Sequence, residues 1–336
     1  MTTSKFAAID ERLDRLVNLD MGGRGVERLY AASLRLLGVS PVGAAADKLA
    51  ALNHEDIVLV TTGSVSRAWI SPEIGENDGP AGLAAVVRAI SLSRRALCVV
   101  LAEETLLEPI GKLLMAAGVT VVPVEQGKIA ARDKSLAVVS LLPFSTTDLT
   151  AANEASRILD ELKPVMLFST ERVGRNADGI YCSMRGVDYG MDRARIDYVF
   201  DEAIRRGLPT VAVGDGGNEI GMGAIADAVR AHVRFGDARP EGGAGIGAMT
   251  ASDILVTAAV SNWGCYAIVA ALAARLKDPR LVHTPQMEEI LLRRGVEIGL
   301  INSVDGLIDA NVDGIPLSTH LAISEIIEGI VRPALR

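Results

Sequence analysis

Seven short apolar runs, separated by segments of helical period, constrain this chain more than any other feature. They are DIVLVTTG (56–63), ALCVVLA (96–102), VTVVPV (119–124), AVVSLLPF (137–144), PVMLFSTE (164–171), PTVAVGDG (209–216) and DILVTAAV (253–260). Each is rich in β-branched residues and apolar at successive positions, so both faces need cover, as in buried parallel strands. Between them, Leu83, Val86, Val87 and Ile90 fall at i, i+3, i+4 and i+7, and Leu106, Ile110, Leu113 and Leu114 form a second stripe that stops at Gly118. Ile158, Leu159 and Leu162 make a third, and Ile196, Val199, Phe200 and Ala203 a fourth ending at Gly207. This alternation predicts an α/β fold: a layered, mainly parallel sheet flanked by helices. Residues 1–54 read as a helical N-terminal segment, interrupted at DMGGRG (20–25), which carries Asp20 and Arg24. Past Gly299, Asp305-Gly306 and Asp313-Gly314 predict hairpin-like turns before a closing helix near 319–331. With no repeat, low-complexity tract or linker, one domain over 1–336 is expected, its α/β core at 55–336.

Composition narrows the function classes. The chain is 49% hydrophobic with only 4% aromatic residues, so the core must come from Ala, Val, Leu and Ile. A net charge of −8, with no basic stretch interleaved with aromatics, argues against nucleic acid. No apolar run reaches the ~18 residues of a membrane helix, and MTTSKFAAIDERLDRL lacks the apolar centre of a signal peptide. Cys98, Cys182 and Cys265 have no metal-like spacing, and two sit in apolar surroundings, which suggests a reducing, cytoplasmic setting. The four histidines likewise show no metal spacing.

Ligands of parallel sheets bind beyond the carboxyl ends of the strands. There the first run leads through Gly63 to GENDGPAG (75–82), with Glu76 and Asp78 before a Pro-started helix. The fifth leads into STERVGRNADG (169–179), with Glu171, Arg172, Arg175 and Asp178. The sixth gives GDGGNEIGMG (214–223), with Asp215, Asn218 and Glu219, and the seventh VSNWGCYA (260–267), with Ser261 and Asn262. Several have plainer readings: Asp78 as a helix-dipole partner, Asp178-Gly179 as a turn, Asn262 as a cap for the following helix, Trp263 as packing and the arginines as surface ion pairs. Asp215 and Glu219 are harder to explain that way. The dinucleotide frame G-x-G-x-x-G puts Glu219 where its third glycine belongs, and a P-loop would need a lysine that the motif lacks. Clustered oxygen donors suit a hard divalent cation, Mg²⁺ or Mn²⁺.

The same segments resemble the glutamate cyclase-like domain family. ENDGPAG is similar to that family's E-T-D-G-P-P-G, ERVGRNADGIYCSMRG to E-R-x-G-R-x-A-D-G-x-Y-Y-N-x-R, and VSNWGCYA to V-S-N-W-G-G-Y-A, while GDGGNEIGMG is essentially intact. The resemblance runs from about residue 20 to 317. Asn77, Ala81 and Cys182-Ser183 depart from the pattern, and the last pair bears on substrate identity. Membership implies closure of D-glutamate to 5-oxo-D-proline with loss of water, in an acidic cleft holding a divalent metal. On that implication Glu76, Asp78, Asp215 and Glu219 hold the metal, and Asp178 or Glu171 is the catalytic base. Arg172 and Arg175 then clamp the substrate's α-carboxylate, and Asn218, Ser261 and Asn262 contact the substrate. The expected partner is a small amino acid, with room for a homo-oligomer. Two rival readings of the same residues are a metal-dependent phosphoester hydrolase and a non-catalytic sensor of a small acidic metabolite.

Overall fold

All seven apolar runs become strands of a single parallel sheet in the computed structural model, which describes residues 5–63 and 65–336. The start of the stretch read as lacking a signal peptide, residues 1–4, lies outside the described residues. In chain order the first half comprises α1 (Ala7–Val17), α2 (Val26–Leu37), α3 (Pro41–Ala50), β1 (Ile57–Thr62), α4 (Pro80–Arg94), β2 (Leu97–Ala102), α5 (Glu104–Ala116), β3 (Thr120–Val121), α6 (Val124–Asp133) and β4 (Val138–Pro143). There follow α7 (Asp148–Leu162), β5 (Met166–Thr170), α8 (Asp197–Arg205), β6 (Thr210–Gly214), α9 (Ala226–His232), β7 (Ile254–Thr257), α10 (Ser261–Leu276), α11 (Pro285–Glu297) and α12 (Leu317–Val331). Spatial order is β3-β4-β2-β1-β5-β6-β7. The chain thus winds outward in one direction from β1 through β2 and in the other from β5, and the crevice between such halves is where a doubly wound sheet binds ligands.

Alternate residues of each strand face different layers, as the two-residue period requires. Val58, Val60, Cys98, Val100, Phe168, Val211 and Val213 share a buried cluster with α1, α3, α4, α5, α10 and α12. Ile57, Leu59, Leu97, Val99 and Leu167 face α6, α7 and α8. A third cluster joins Ala212 and Leu255 to residues of α2 and α9. The helical N-terminal segment therefore builds part of the main core. Strand β3 is reduced to two residues because Pro123, lacking an N–H, ends the ladder and begins α6. The turns at 305–306 and 313–314 are present, with Gly306 and Gly314 at positive φ, but a single bridge, Val312 to Ile315, stands in for the expected hairpin pairing.

Helix α10 positions the site. Fourteen of its residues, Ser261 to Ala274, are buried, so it has no polar face for periodicity to reveal. It lies close to α4 because Gly82 carries no side chain: a Cβ there would meet Asn262 Cα at 2.9 Å and Cys265 Cβ at 3.0 Å. Gly264 does the same against the sheet, where a Cβ would stand 2.7 Å from Val213 Cγ1. Trp263 is packing, as its plainer reading held, with Nε1 donating to His320 Nδ1 at 2.8 Å. Among the described residues no single helix is long and apolar enough to cross a membrane. The three cysteines are free and buried.

Candidate active site

Glycines 214, 216 and 217 let the loop after β6 curl around the carboxylate of its own Glu219. Glu219 Oε1 accepts from Asp215 N (3.2 Å) and Gly216 N (2.7 Å), and Oε2 from Gly217 N (2.7 Å). Side chains would not fit: a Cβ on Gly216 would lie 2.5 Å from Met184 Sδ, and Gly217 has φ of 106°. Successive amides turned toward one point form an anion nest, and here the anion is intramolecular. The fold of this loop presents Asp215, 3% exposed, to the crevice. Asn218 turns elsewhere, donating from Nδ2 to Cys182 O at 2.7 Å and to Tyr189 Oη at 3.4 Å.

Asp78 and Asn262 cap one another's helices. Asp78 precedes α4 yet accepts from the first amides of α10, Ser261 N at 3.1 Å and Asn262 N at 3.0 Å, as well as from Gly79 N at 2.9 Å. Asn262, in α10, accepts on Oδ1 from Gly79 N (3.0 Å) and Gly82 N (2.7 Å) at the start of α4 and donates to Asn77 O (3.2 Å). Asn262 is thus a cap, as one reading expected, but for the neighbouring helix. The bonds accepted by Asp78 and by Asn262 Oδ1 satisfy amides that a helix start leaves without a partner.

Glu171 follows β5 with φ of 52°, a left-handed conformation costly for a non-glycine residue. Its Oε2 accepts from Ser261 Oγ at 2.5 Å. The bend leaves no room for a side chain at residue 79: a Cβ on Gly79 would stand 2.8 Å from Glu171 Cβ. Asp313 also has positive φ, 52°, and reaches the same place from the turn before α12. One carboxylate oxygen from each of Asp78, Asp215 and Asp313 lies within 4.8 Å of the others, and the same holds for Glu171, Asp215 and Glu219. The two groups share Asp215. Glu76 stands beside them, close enough to raise the proton affinity of Glu171 and Asp78, without completing either group.

Burial and mutual repulsion set the charge state. Burial first, then Glu219, Asp78, Glu76 and Asp313, hold the Glu171 carboxyl well above the usual carboxylate range. Burial and then Asp313 push Asp78 up, against the pull of the Ser261 and Asn262 amides. Burial raises Asp215 as well, opposed by Arg24. Two like charges 4 Å apart repel by about 4 kcal/mol at an effective dielectric of 20, so five ionised carboxylates here need more than one positive partner. The donor set fits a divalent cation: buried carboxylate oxygens of two triads around a shared aspartate, and no competing thiolate or imidazole among them.

The protein's own cation in the cluster is Arg24, from the DMGGRG loop. Its Nη2 donates to Asp215 Oδ2 at 2.6 Å, Asp313 Oδ2 at 3.0 Å and Ala259 O at 2.5 Å. Asp20 fixes the loop by accepting from Arg24 N (2.9 Å) and Gly25 N (2.7 Å).

Of the eleven residues expected at the site, Asp78, Glu171, Asp215, Glu219, Ser261 and Asn262 converge, with Glu76 adjacent and Asn218 holding a loop beside them. Three are placed differently. Arg172 is fully buried in a two-bond pair with Glu103, Nη1 to Oε2 at 2.8 Å and Nη2 to Oε1 at 2.7 Å, and also donates to Gly63 O and Ala194 O. Arg175 is held by Asp197 at 2.6 Å and Asp201 at 2.5 Å, over the Tyr198 ring. Carboxylates of the chain itself thus hold the guanidinium groups of both arginines expected as the clamp. Asp178 is an exposed turn residue whose Oδ2 accepts from Ala244 N at 2.7 Å, so of the two expected bases only Glu171 belongs to the cluster. Asp313 was missed because it reads as a turn residue, and its long reach across the fold leaves no local signal.

The family described as D-glutamate cyclase-like, C-terminal, matches residues 13–328. The chain is 28% identical to human mitochondrial D-glutamate cyclase over 352 aligned positions, covering 95% of this chain and 51% of that one. It thus spans about half the length of that curated relative.

Proposed function

Because the chain belongs to the D-glutamate cyclase-like C-terminal family, we propose that it closes D-glutamate to 5-oxo-D-proline with loss of water, aided by Mg²⁺ or Mn²⁺. The observation that carries this reading is the convergence of Asp78, Glu171, Asp215, Glu219 and Asp313, from four separate segments, on one crevice of the sheet. A divalent cation held by Asp215 with Asp78 and Asp313, or with Glu171 and Glu219, would neutralise the reacting carboxylate and polarise its C–O bond.

The chain's own residues handle protons and position. In the reaction the amine nitrogen bonds to the side-chain carboxyl carbon and one C–O bond breaks. The ammonium begins with three protons, the lactam nitrogen keeps one, and the other two depart with the oxygen as water. No external acid or base is consumed, so one carboxylate that takes and returns protons suffices. Glu171 suits this task because its raised pKa brings it nearer to neutrality than an ordinary glutamate. The hydroxyl of Ser261, donating to Oε2, keeps that carboxylate facing the crevice. Holding the substrate folded for five-membered ring closure supplies the rest, since effective molarities of well-oriented groups reach about 10⁵–10⁸ M.

The phosphoester hydrolase reading leaned on two arginines facing the cleft, and the pairing of Arg172 and Arg175 with Glu103, Asp197 and Asp201 removes that support. The test is to strip the protein of metal, supply D- or L-glutamate, add back Mg²⁺ or Mn²⁺ in turn and follow 5-oxoproline. The reading predicts metal-dependent product from the D-isomer. Phosphate release from a generic ester, or tight binding without turnover, would replace it with one of the two rival readings.

A further inference from the structure

We propose that Arg24, and neither Arg172 nor Arg175, receives the substrate's α-carboxylate. The ligand's identity rests on the cyclase reading; the role of the guanidinium rests on its geometry. An anion entering a crevice lined by five carboxylates needs a positive edge to meet. Arg172 and Arg175 are committed to Glu103, Asp197 and Asp201. Arg193 is wholly buried against the Tyr189 ring, its Nε donating to Tyr189 O at 2.6 Å. Arg24 differs. Its contacts to Asp215, Asp313 and Ala259 O all run through Nη2, while Nε and Nη1 have no hydrogen-bond acceptor among the described residues. The side chain is 30% exposed, so those donors meet solvent.

One end of the guanidinium is thus anchored and charged while the rest of its planar fork is left for a ligand. That is the arrangement in which arginine recognises a carboxylate. Its position is preorganised, since Asp20 binds the two amides at 24 and 25, and Gly23 and Gly25 supply the positive φ values the tight turn needs. The α-carboxylate is the suitable occupant because it survives the reaction unchanged. The other carboxylate must lose an oxygen and cannot be tied to a fixed partner throughout.

The test uses the full chain and two variants. Arg24→Lys keeps a charge beside Asp215 and Asp313 but lacks the fork, and Arg24→Gln removes the charge as well. Glutarate, with two carboxylates and no amine, cannot cyclise and is titrated calorimetrically with and without Mn²⁺. Binding is expected to weaken about 10–100-fold in Arg24→Lys, the range of a lost charge-assisted pair, with the melting temperature retained. Affinity for 5-oxo-D-proline falls by a similar factor, whereas 2-pyrrolidinone, the same ring without a carboxylate, neither gains nor loses. Glutarate affinity within twofold of wild type in Arg24→Lys overturns the proposal, as does a wild type that binds no glutarate. If the wild type makes no 5-oxoproline yet binds glutarate through Arg24, the cyclase reading falls and the carboxylate site stands. If it cyclises D-glutamate with a KM unmoved by Arg24→Lys, the converse holds.

Discussion

Replacing Arg172 with Met takes a guanidinium out of a fully buried pair and leaves Glu103, 1% exposed, with Ala194 N as its one remaining hydrogen-bond donor among the described residues. The change also removes the donor to Gly63 O at the end of β1 and one of two donors to Ala194 O, which keeps its bond from Ile196 N. Breaking a buried ion pair from one side costs about 3–5 kcal/mol, because the surviving charge has neither water nor a partner. In a chain of 336 residues that corresponds to a fall of about 4–7 °C in Tm. Thermal unfolding followed by circular dichroism measures it, alongside KM for D-glutamate, which is expected to stay within about twofold since both Nη groups of Arg172 are taken by the protein and its Nε is sealed from solvent. The double variant Arg172→Met, Glu103→Leu removes both charges and should recover at least half of the lost stability, as the hydrophobic replacement of buried pairs leads one to expect. A Tm unchanged in Arg172→Met together with a KM raised tenfold or more would refute the argument and return Arg172 to the substrate.

Asp215→Asn, at the residue common to both carboxylate triads, is expected to weaken Mn²⁺ binding at least about 100-fold by calorimetry and to abolish cyclisation; retained metal affinity would remove Asp215 from the ligand set. Asp14, pushed up to about 7 chiefly by burial, binds a proton more tightly folded than unfolded. Its contribution to stability is therefore complete below about pH 4 and is lost as pH rises through 7. Asp14→Asn should flatten that slope in urea titrations between pH 4 and 8 and add about 2–4 kcal/mol at pH 8, and an unaltered slope would count against it. Gly82→Ala places a Cβ 2.9 Å from Asn262 Cα; helix propensity alone predicts a gain of roughly 1 kcal/mol, so a loss of about 1–3 kcal/mol separates the packing explanation from it, and a gain would sink it.

The parts of the fold that sequence made legible are those governed by local period. Strands apolar on both faces, such as Leu97–Ala102, and helices with one apolar stripe, such as α5, announce themselves because each residue's environment follows from its place in the repeat. Helix α10 does not, since burial all round erases the stripe, and α6 was passed over because its start overlaps the apolar run VTVVPV. Glycine-rich strand ends marked the crevice, and Asp78, Asp215 and Glu219 were found that way. What failed was the assignment of partners. Nothing local says that Arg172 meets Glu103, 69 residues earlier, or that Arg24 meets Asp215, 191 residues later. Charges at strand ends look alike in one dimension, and only the packing decides which are consumed in holding the loops and which are left for a ligand. Asp313-Gly314 shows the same ambiguity, since it is the expected turn and also the third acid of a triad.

The reciprocal tie between Asp78 and Asn262 makes one carboxylate serve as both brace and bait. Any cation that draws electron density from Asp78 competes with the amides of Ser261 and Asn262 for the same two oxygens. Occupancy of the crevice should then be audible one layer deeper, as faster deuterium uptake at the opening turn of the most deeply buried helix. Folding and loading of this protein are in that sense written on a single pair of oxygen atoms.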